Sequence, residues 1–245
     1  MRVPPAPGRS APWQHLVYLL LAGVLSLGLT QPAWAQHTAV APVPDAHQAV
    51  PPGPKSPHPK FIELSPSAQT LQQLKSGGLV LFLRHGSTDN SHPDRYPAVD
   101  LADCRTQRLL SEAGVQMMRR NGEAMRRLQI SIVELLVSPM CRTRDSAAAA
   151  FPTIKPVVDK QLMYLSDLSS EAEKAAALAR TRQLLSQPVK GRGNRLVLAH
   201  APNLSELMGY FPREGTLVIF RPLGEGRGYD YLGSIYPTGW DGLSF

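Results

Sequence analysis

A three-layer α/β fold, with a mostly parallel central sheet and helices on both faces, is what this chain predicts from three observations. Three short, largely apolar runs, Leu79 to Leu83, Val133 to Val137 and Arg195 to Ala199, have the length and the Leu/Val content of strands buried on both faces. Helical patterns follow or separate them, as a parallel sheet requires of its crossovers. Each run also stops at chemistry-bearing residues: Arg84-His85-Gly86, then Ser138-Pro-Met-Cys-Arg142, then His200-Ala-Pro-Asn203. Open α/β sheets bind ligands at the carboxyl ends of their strands, so these groups are expected to meet at one edge.

From the amino terminus, residues 1–35 contain no acid, carry Arg2 and Arg9, continue through an apolar stretch from Leu16 to Leu29 and finish in Ala33-Trp34-Ala35. This predicts a secretory signal peptide cut before Gln36. An uncleaved anchor is the other reading, although the stretch is short for a membrane span. Residues 36–60 hold Pro42, Pro44, Pro51, Pro52, Pro54, Pro57 and Pro59 and few large apolar residues, so they read as an extended linker. One domain is expected over 61–245.

Within that domain the strand ending at Arg84 comes first. A helix from about Ser111 to Leu128 follows, with Leu110, Met117, Ala124 and Leu128 on a roughly helical period and Arg119, Arg120, Arg126 and Arg127 on its solvated face. After the second strand an Ala-rich helix runs from Thr143 to Phe151. Ser170 and Glu173 form a capping box that opens a helix to about Ser186. The strand ending at Ala199 is followed by a last apolar run, Leu217 to Phe220, introduced by Glu214-Gly215.

The residue types suit phosphoryl chemistry. A neutral imidazole can attack phosphorus, and the planar guanidinium neutralises phosphate oxygens in pairs. The ordered set of Arg-His-Gly early, Ser-Pro-x-x-Arg-x-x-x-Ser-Ala in the middle and a strand-terminal His late resembles the histidine phosphatase superfamily, the phosphoglycerate-mutase-like fold, in its branch 1 form, from about Phe61 to Tyr236. The resemblance implies His85 as the nucleophile that becomes phosphohistidine, Arg84 and Arg142 as phosphate clamps, and His200 as the second phosphate-binding imidazole. Thr88, Asn90 and Asn203 are candidates for hydrogen-bonding the substrate. No metal and no cofactor are implied.

The chain departs from the family in two places. Ser87-Thr88-Asp89-Asn90 stands where mutase-like members commonly have Glu-Ser or Glu-Thr with an Asn one position later than Asn90. The late site reads His200-Ala201, so the His-Asp acid of the phytase branch is absent. A proton donor for the leaving group must come from elsewhere. Glu214 is preferred, since Glu-Gly before a strand places a carboxylate at the sheet rim, with Asp159, Asp167 and Glu171 as the other candidates. Capping explains Glu171 and Glu173 better than catalysis does.

Composition narrows the partners. Removing Arg2 and Arg9 from the 26 basic residues leaves 24 against 19 acidic ones, a net +5 for the chain beyond the signal. The excess is modest, and no aromatic-interleaved basic run points to nucleic acid. Cys104 and Cys141 are the only cysteines, and an even pair in an exported chain reads as a disulfide, with two reduced buried thiols as the alternative. The expected function is that of an exported, metal-independent phosphomonoesterase. Its substrate is a phosphorylated small molecule or envelope phosphosugar, with no stable membrane insertion after signal cleavage. A phosphate-ester-binding protein of the same fold, or a phosphomutase, are the alternatives.

Overall fold

The computed structural model describes residues 60–95 and 100–243. The predicted signal peptide and cleavage site, and the predicted linker up to residue 59, lie outside the described residues.

A six-stranded sheet in the order β3-β2-β4-β1-β5-β6 organises the domain. β1 (Val80–Arg84), β2 (Ile132–Val137), β3 (Val157–Val158) and β4 (Asn194–Ala199) run parallel, while β5 (Leu217–Gly224) and β6 (Gly228–Ile235) add an antiparallel hairpin beside β1. This is the mostly parallel α/β fold that the sequence predicts. Strand side chains point alternately to the two faces, and the core divides accordingly. Leu81, Leu83, Leu196, Leu198, Leu217 and Ile219 meet helices α1 (Ala68–Ser76), α2 (Glu112–Arg127) and α3 (Cys141–Ala150) on one face. Val80, Phe82, Val197, Ala199, Val218 and Phe220 meet α4 (Glu171–Ser186) and α5 (Ala201–Met208) on the other. The two charged residues inside the predicted strands answer each other, Arg195 Nε donating to Glu134 Oε2 at 2.6 Å across the β2–β4 pair.

The expected helices form, and the capping box of Ser170 and Glu173 is present at the start of α4. The buried stripe of α2 differs from the predicted one. Ala124 and, at the C-cap, Leu128 are buried as predicted, but Gly114, Met118, Asn121, Gly122 and Met125 make up the rest of the core face, whereas Met117 is half-buried and Leu110 precedes the helix. The reason is steric. A Cβ on Gly114 would lie 2.0 Å from the Ser87 carbonyl oxygen, so this glycine lets α2 press its backbone against the loop directly after His85-Gly86. A hydrophobic period cannot register a contact made by a missing side chain.

Four elements were not anticipated: α1, α5, β3 and β6. In α1 only Thr70 and Leu74 are buried, so its pattern is faint. α5 is eight residues long and opens with Pro202 in its first turn, where the absent N–H costs nothing. β3 is a two-residue edge strand, and β6 is an edge strand whose glycines and tyrosines do not alternate cleanly.

Cys104 and Cys141 are joined, with Cα atoms 5.8 Å apart across a separation of 37 residues. The bond ties the 3₁₀ turn Cys104–Thr106 to the first residue of α3. Gln107 adds a second tie, its Oε1 accepting the Cys141 N–H at 2.8 Å. Cross-linking a loop of this length is expected to stabilise the domain by roughly 3–4 kcal/mol through the unfolded chain. Comparing denaturant unfolding of the oxidised protein with the Cys104→Ala/Cys141→Ala variant measures it. Thiol counting in denatured, unreduced protein should find none free, and two free thiols would remove the bond from the native molecule.

Candidate active site

Three parallel neighbours, β2, β4 and β1, end at the same edge, and each delivers its next residue there: Ser138, His200 and His85. β5 runs the opposite way, so its beginning also lies at this edge. Arg84 N–H bonds the Thr216 carbonyl at 3.2 Å, and Gly215 N–H bonds the His85 carbonyl at 2.9 Å, which brings Glu214 alongside. Topology alone therefore gathers residues more than a hundred positions apart. The His85 and His200 ring centroids are 5.3 Å apart.

His85 is buried, and its Nδ1 lies 2.8 Å from the Gly86 carbonyl oxygen. A carbonyl only accepts, so Nδ1 carries the proton and the neutral ring has its lone pair on Nε2. Burial, followed by the charges of Arg142, Arg84 and Arg108, pushes the His85 pKa down to about 3 against the pull of that hydrogen bond. Gly86 is fixed in turn by its N–H to Ser146 Oγ at 3.1 Å, and Ser146 donates to the Arg142 carbonyl at 2.7 Å. The Ser of the middle motif thus fastens the early motif to α3.

His200 is fully buried, with Nε2 2.8 Å from Ser138 Oγ and Nδ1 lacking a partner. Burial, then Arg142 and His85, holds its pKa well below the ordinary imidazole value. Arg142, in the first turn of α3, is 0% exposed. Its Nη1 pairs with Asp94 Oδ1 at 3.0 Å and its guanidinium lies 5.0 Å from the Tyr164 ring centre, leaving buried Nε and Nη2 without partners. Arg84 donates from Nη1 to the Pro212 carbonyl at 2.8 Å, stacks on Phe211 at 5.2 Å and likewise has a buried Nε without a partner. Burial lowers both arginine pKa values from their ordinary one. Buried polar groups are nearly always paired. Here several unsatisfied N–H groups cluster on the residues around one imidazole, as an anion site requires. Among the described residues no group of His, Cys, Asp and Glu is placed to hold a metal ion.

Of the other predicted residues, Glu214 sits beside Arg84, its Oε1 3.6 Å from Nη2, and accepts from Thr88 Oγ1 at 3.1 Å. Asn90 turns its Oδ1 to Arg108 Nη1 at 3.0 Å. Asn203, on α5, is fully buried; its Nδ2 donates to Thr181 Oγ1 of α4 at 3.5 Å and its Oδ1 has no partner. Asp159 is paired with Arg180 at 2.7 Å and caps the turn at Lys160, while Glu171 pairs with Lys174 at 2.8 Å. Asp167 is different. Burial and the Asp94 carboxylate raise its pKa, against the opposing pull of Arg142 and Arg108, and its buried Oδ2 has no partner.

Sequence reasoning missed Asp94, Arg108 and Tyr164 as members of this cluster. Each lies in an irregular segment outside the three motifs, where no periodicity marks it; the only signal was Arg108, two residues before Leu110 and the Ser111 helix cap.

Residues 80–164 match the model of the histidine phosphatase superfamily (branch 1), an interval that includes His85, Arg142 and the residues between them. No curated protein sequence matches the chain. Among solved structures, the chain is similar to the protein histidine phosphatase SixA complexed with tungstate, at 17% identity and a TM-score of 0.46, covering 65% of this chain and 97% of that one. It is also similar to a phosphoserine phosphatase of Entamoeba histolytica in complex with phosphoserine, at 9% identity and a TM-score of 0.43, covering 64% and 95%. A mycobacterial glucosyl-3-phosphoglycerate phosphatase in complex with VO3 follows at 14% identity and a TM-score of 0.40, covering 63% and 97%.

Proposed function

We propose that this protein is an exported, metal-independent phosphomonoesterase that works through a phosphohistidine on His85. The observation that carries the reading is the pairing of a neutral imidazole, its lone pair on Nε2, with buried, partnerless N–H groups on Arg84, Arg142 and, in the tautomer assigned next, His200. His200 Nε2 shares a hydrogen bond with Ser138 Oγ; in the tautomer where the hydroxyl donates, the ring's proton lies on Nδ1, a further donor for phosphate. The guanidiniums neutralise the phosphate oxygens in ground and transition states, the work a divalent ion does elsewhere.

In the first step Nε2 of His85 attacks phosphorus, the bond from phosphorus to the leaving oxygen breaks, and that oxygen takes a proton from a carboxylic acid. In the second step water attacks the phosphorus of the phosphohistidine. The P–N bond returns its electron pair to Nε2, the carboxylate recovers a proton from the water, and inorganic phosphate leaves. Asp167 supplies the acid. Its raised pKa keeps it protonated at higher pH than an ordinary carboxyl group, whereas Glu214 makes two acceptor contacts and orients Arg84 and Thr88.

The pH profile follows from these signs. Turnover rises as His85 loses its proton near pH 3 and falls as pH climbs through the Asp167 pKa, which lies above that of an ordinary carboxyl group, giving a bell-shaped profile. Asp167→Asn should lower kcat for poor leaving groups by about 10²–10⁴-fold and remove the alkaline limb, while leaving phosphorylation by an activated aryl phosphate less affected. An unchanged profile in Asp167→Asn would return the acid to Glu214.

Export rests on residues 1–35, and the disulfide accords with an oxidising compartment. The substrate class remains a phosphorylated small molecule or envelope phosphosugar. Trapping tests the function: protein mixed with an aryl phosphate in the presence of chelator and quenched in alkali should carry one acid-labile phosphoryl group on histidine. An enzyme that turns over without such an adduct in rapid quench, or only with added metal, would reject the mechanism. A protein that binds vanadate without turnover would be the binding module instead.

A further inference from the structure

We propose that Arg108 is a third guanidinium ligand of the substrate phosphate, held in place by the disulfide-fastened segment that carries it; this rests on the phosphatase reading above. Charge balance at the site is the first ground. Arg142 has Asp94 and Arg84 has Glu214, but among the described residues no carboxylate pairs with the Arg108 guanidinium. Its Nη1 contacts only the neutral Asn90 Oδ1, and its buried Nε has no partner. Asp167 also faces Arg142 and Arg108, but burial and the Asp94 carboxylate favour its neutral form; with that acid protonated, three clustered guanidiniums against two paired carboxylates leave one positive charge for an anion to neutralise.

Placement is the second ground. The Arg108 backbone N–H donates to Asp94 Oδ1 at 2.8 Å, and that same oxygen receives Arg142 Nη1 at 3.0 Å. One carboxylate oxygen therefore fixes both residues relative to each other. The positive charge of Arg108 is felt at Arg84, His85, Arg142 and His200 alike.

Rigidity is the third. Just before Arg108, Gln107 is bound to Cys141 N–H and, through Nε2, to the Asp100 carbonyl at 2.9 Å. Just after it, the Leu109 carbonyl accepts from Asp89 N–H at 2.9 Å and Ser111 N–H bonds Ser87 at 2.9 Å. The disulfide closes the same segment onto α3. A loop clamped on both sides of a half-exposed arginine spends little further entropy when the side chain engages a ligand.

The test is titration of the full, oxidised protein with inorganic phosphate and with orthovanadate. Arg108→Ala keeps the backbone N–H to Asp94, so it removes the guanidinium alone. It should raise both dissociation constants by about 10–100-fold, the range for a charge-assisted hydrogen bond, with near-ultraviolet dichroism unchanged. Arg108→Lys should recover part of the loss by restoring charge without the fork. Arg119→Ala, on the exposed face of α2, should titrate like the parent. Parent-like binding by Arg108→Ala, in a protein whose His85 still forms phosphohistidine, overturns the assignment of Arg108 and leaves the phosphatase intact. A parent protein that binds neither anion and forms no phosphohistidine overturns both.

Discussion

His85→Ala is expected to abolish turnover of an aryl phosphate, by on the order of 10⁴–10⁶-fold, together with every trace of acid-labile phospho-enzyme. The size follows from what the side chain supplies. His200 is not placed to replace it, because its Nε2 is already bonded to Ser138 Oγ and the ring is fully buried. His200→Ala is therefore expected to behave differently. It removes one donor to the phosphate, costs about 10²–10³-fold, and leaves the phospho-enzyme detectable because the nucleophile survives. Intact-mass analysis after alkaline quench distinguishes the two variants directly. Full activity in purified His85→Ala protein would end the mechanism proposed here.

Loss of Arg142 ranks next. Arg142→Lys is expected to lower kcat/KM by about 10²–10³-fold, although it preserves the charge. The guanidinium is fully buried and does two things at once: Nη1 holds Asp94, and Nε with Nη2 is left for phosphate. A lysine ammonium is a point charge on a flexible stem and cannot span both. Arg142→Ala should be worse, since breaking a buried ion pair leaves Asp94 with only the Arg108 backbone N–H. Thermal unfolding with and without vanadate separates binding from folding. The parent should gain about 2.7 kcal/mol at a ligand concentration of 100 times Kd, while Arg142→Lys at that same concentration should gain far less. An equal gain in both would show that Arg142 does not touch the anion.

The legible parts of the site were those coupled to a strand end. His85, Arg84 and His200 could be placed because an apolar run that stops at a charged residue reports both a strand and the edge where it terminates. Arg142 followed from the Ala-rich helix after the second run. The same logic explains what stayed illegible. Asn203 shares the late motif with His200, but α5 begins at Ala201, and the helix sets its Nδ2 against Thr181, a contact no local pattern shows. The α2 stripe was misphased because Gly114 and Gly122 bury backbone, and hydropathy scores side chains.

The sequence by itself determined the α/β class, the parallel core strands, the capping box, the cysteine pair and the basic and imidazole groups at the strand ends, all of which follow from local pattern: burial on both faces, helical period and cap chemistry. Tertiary structure alone decided which carboxylate faces which cation. Sequence reasoning preferred Glu214 as the acid, kept Asp167 as one of several alternatives and did not mark Asp94 at all. Packing leaves Asp94 as the partner of Arg142, Glu214 as the acceptor beside Arg84, and Asp167 half-buried with a raised pKa and an unpartnered oxygen. Among the described residues it also leaves the Arg108 guanidinium without an ion-paired carboxylate. Those roles depend on distances of 3–4 Å between segments joined only through the sheet, and electrostatic energy in a low-dielectric site changes steeply over that range.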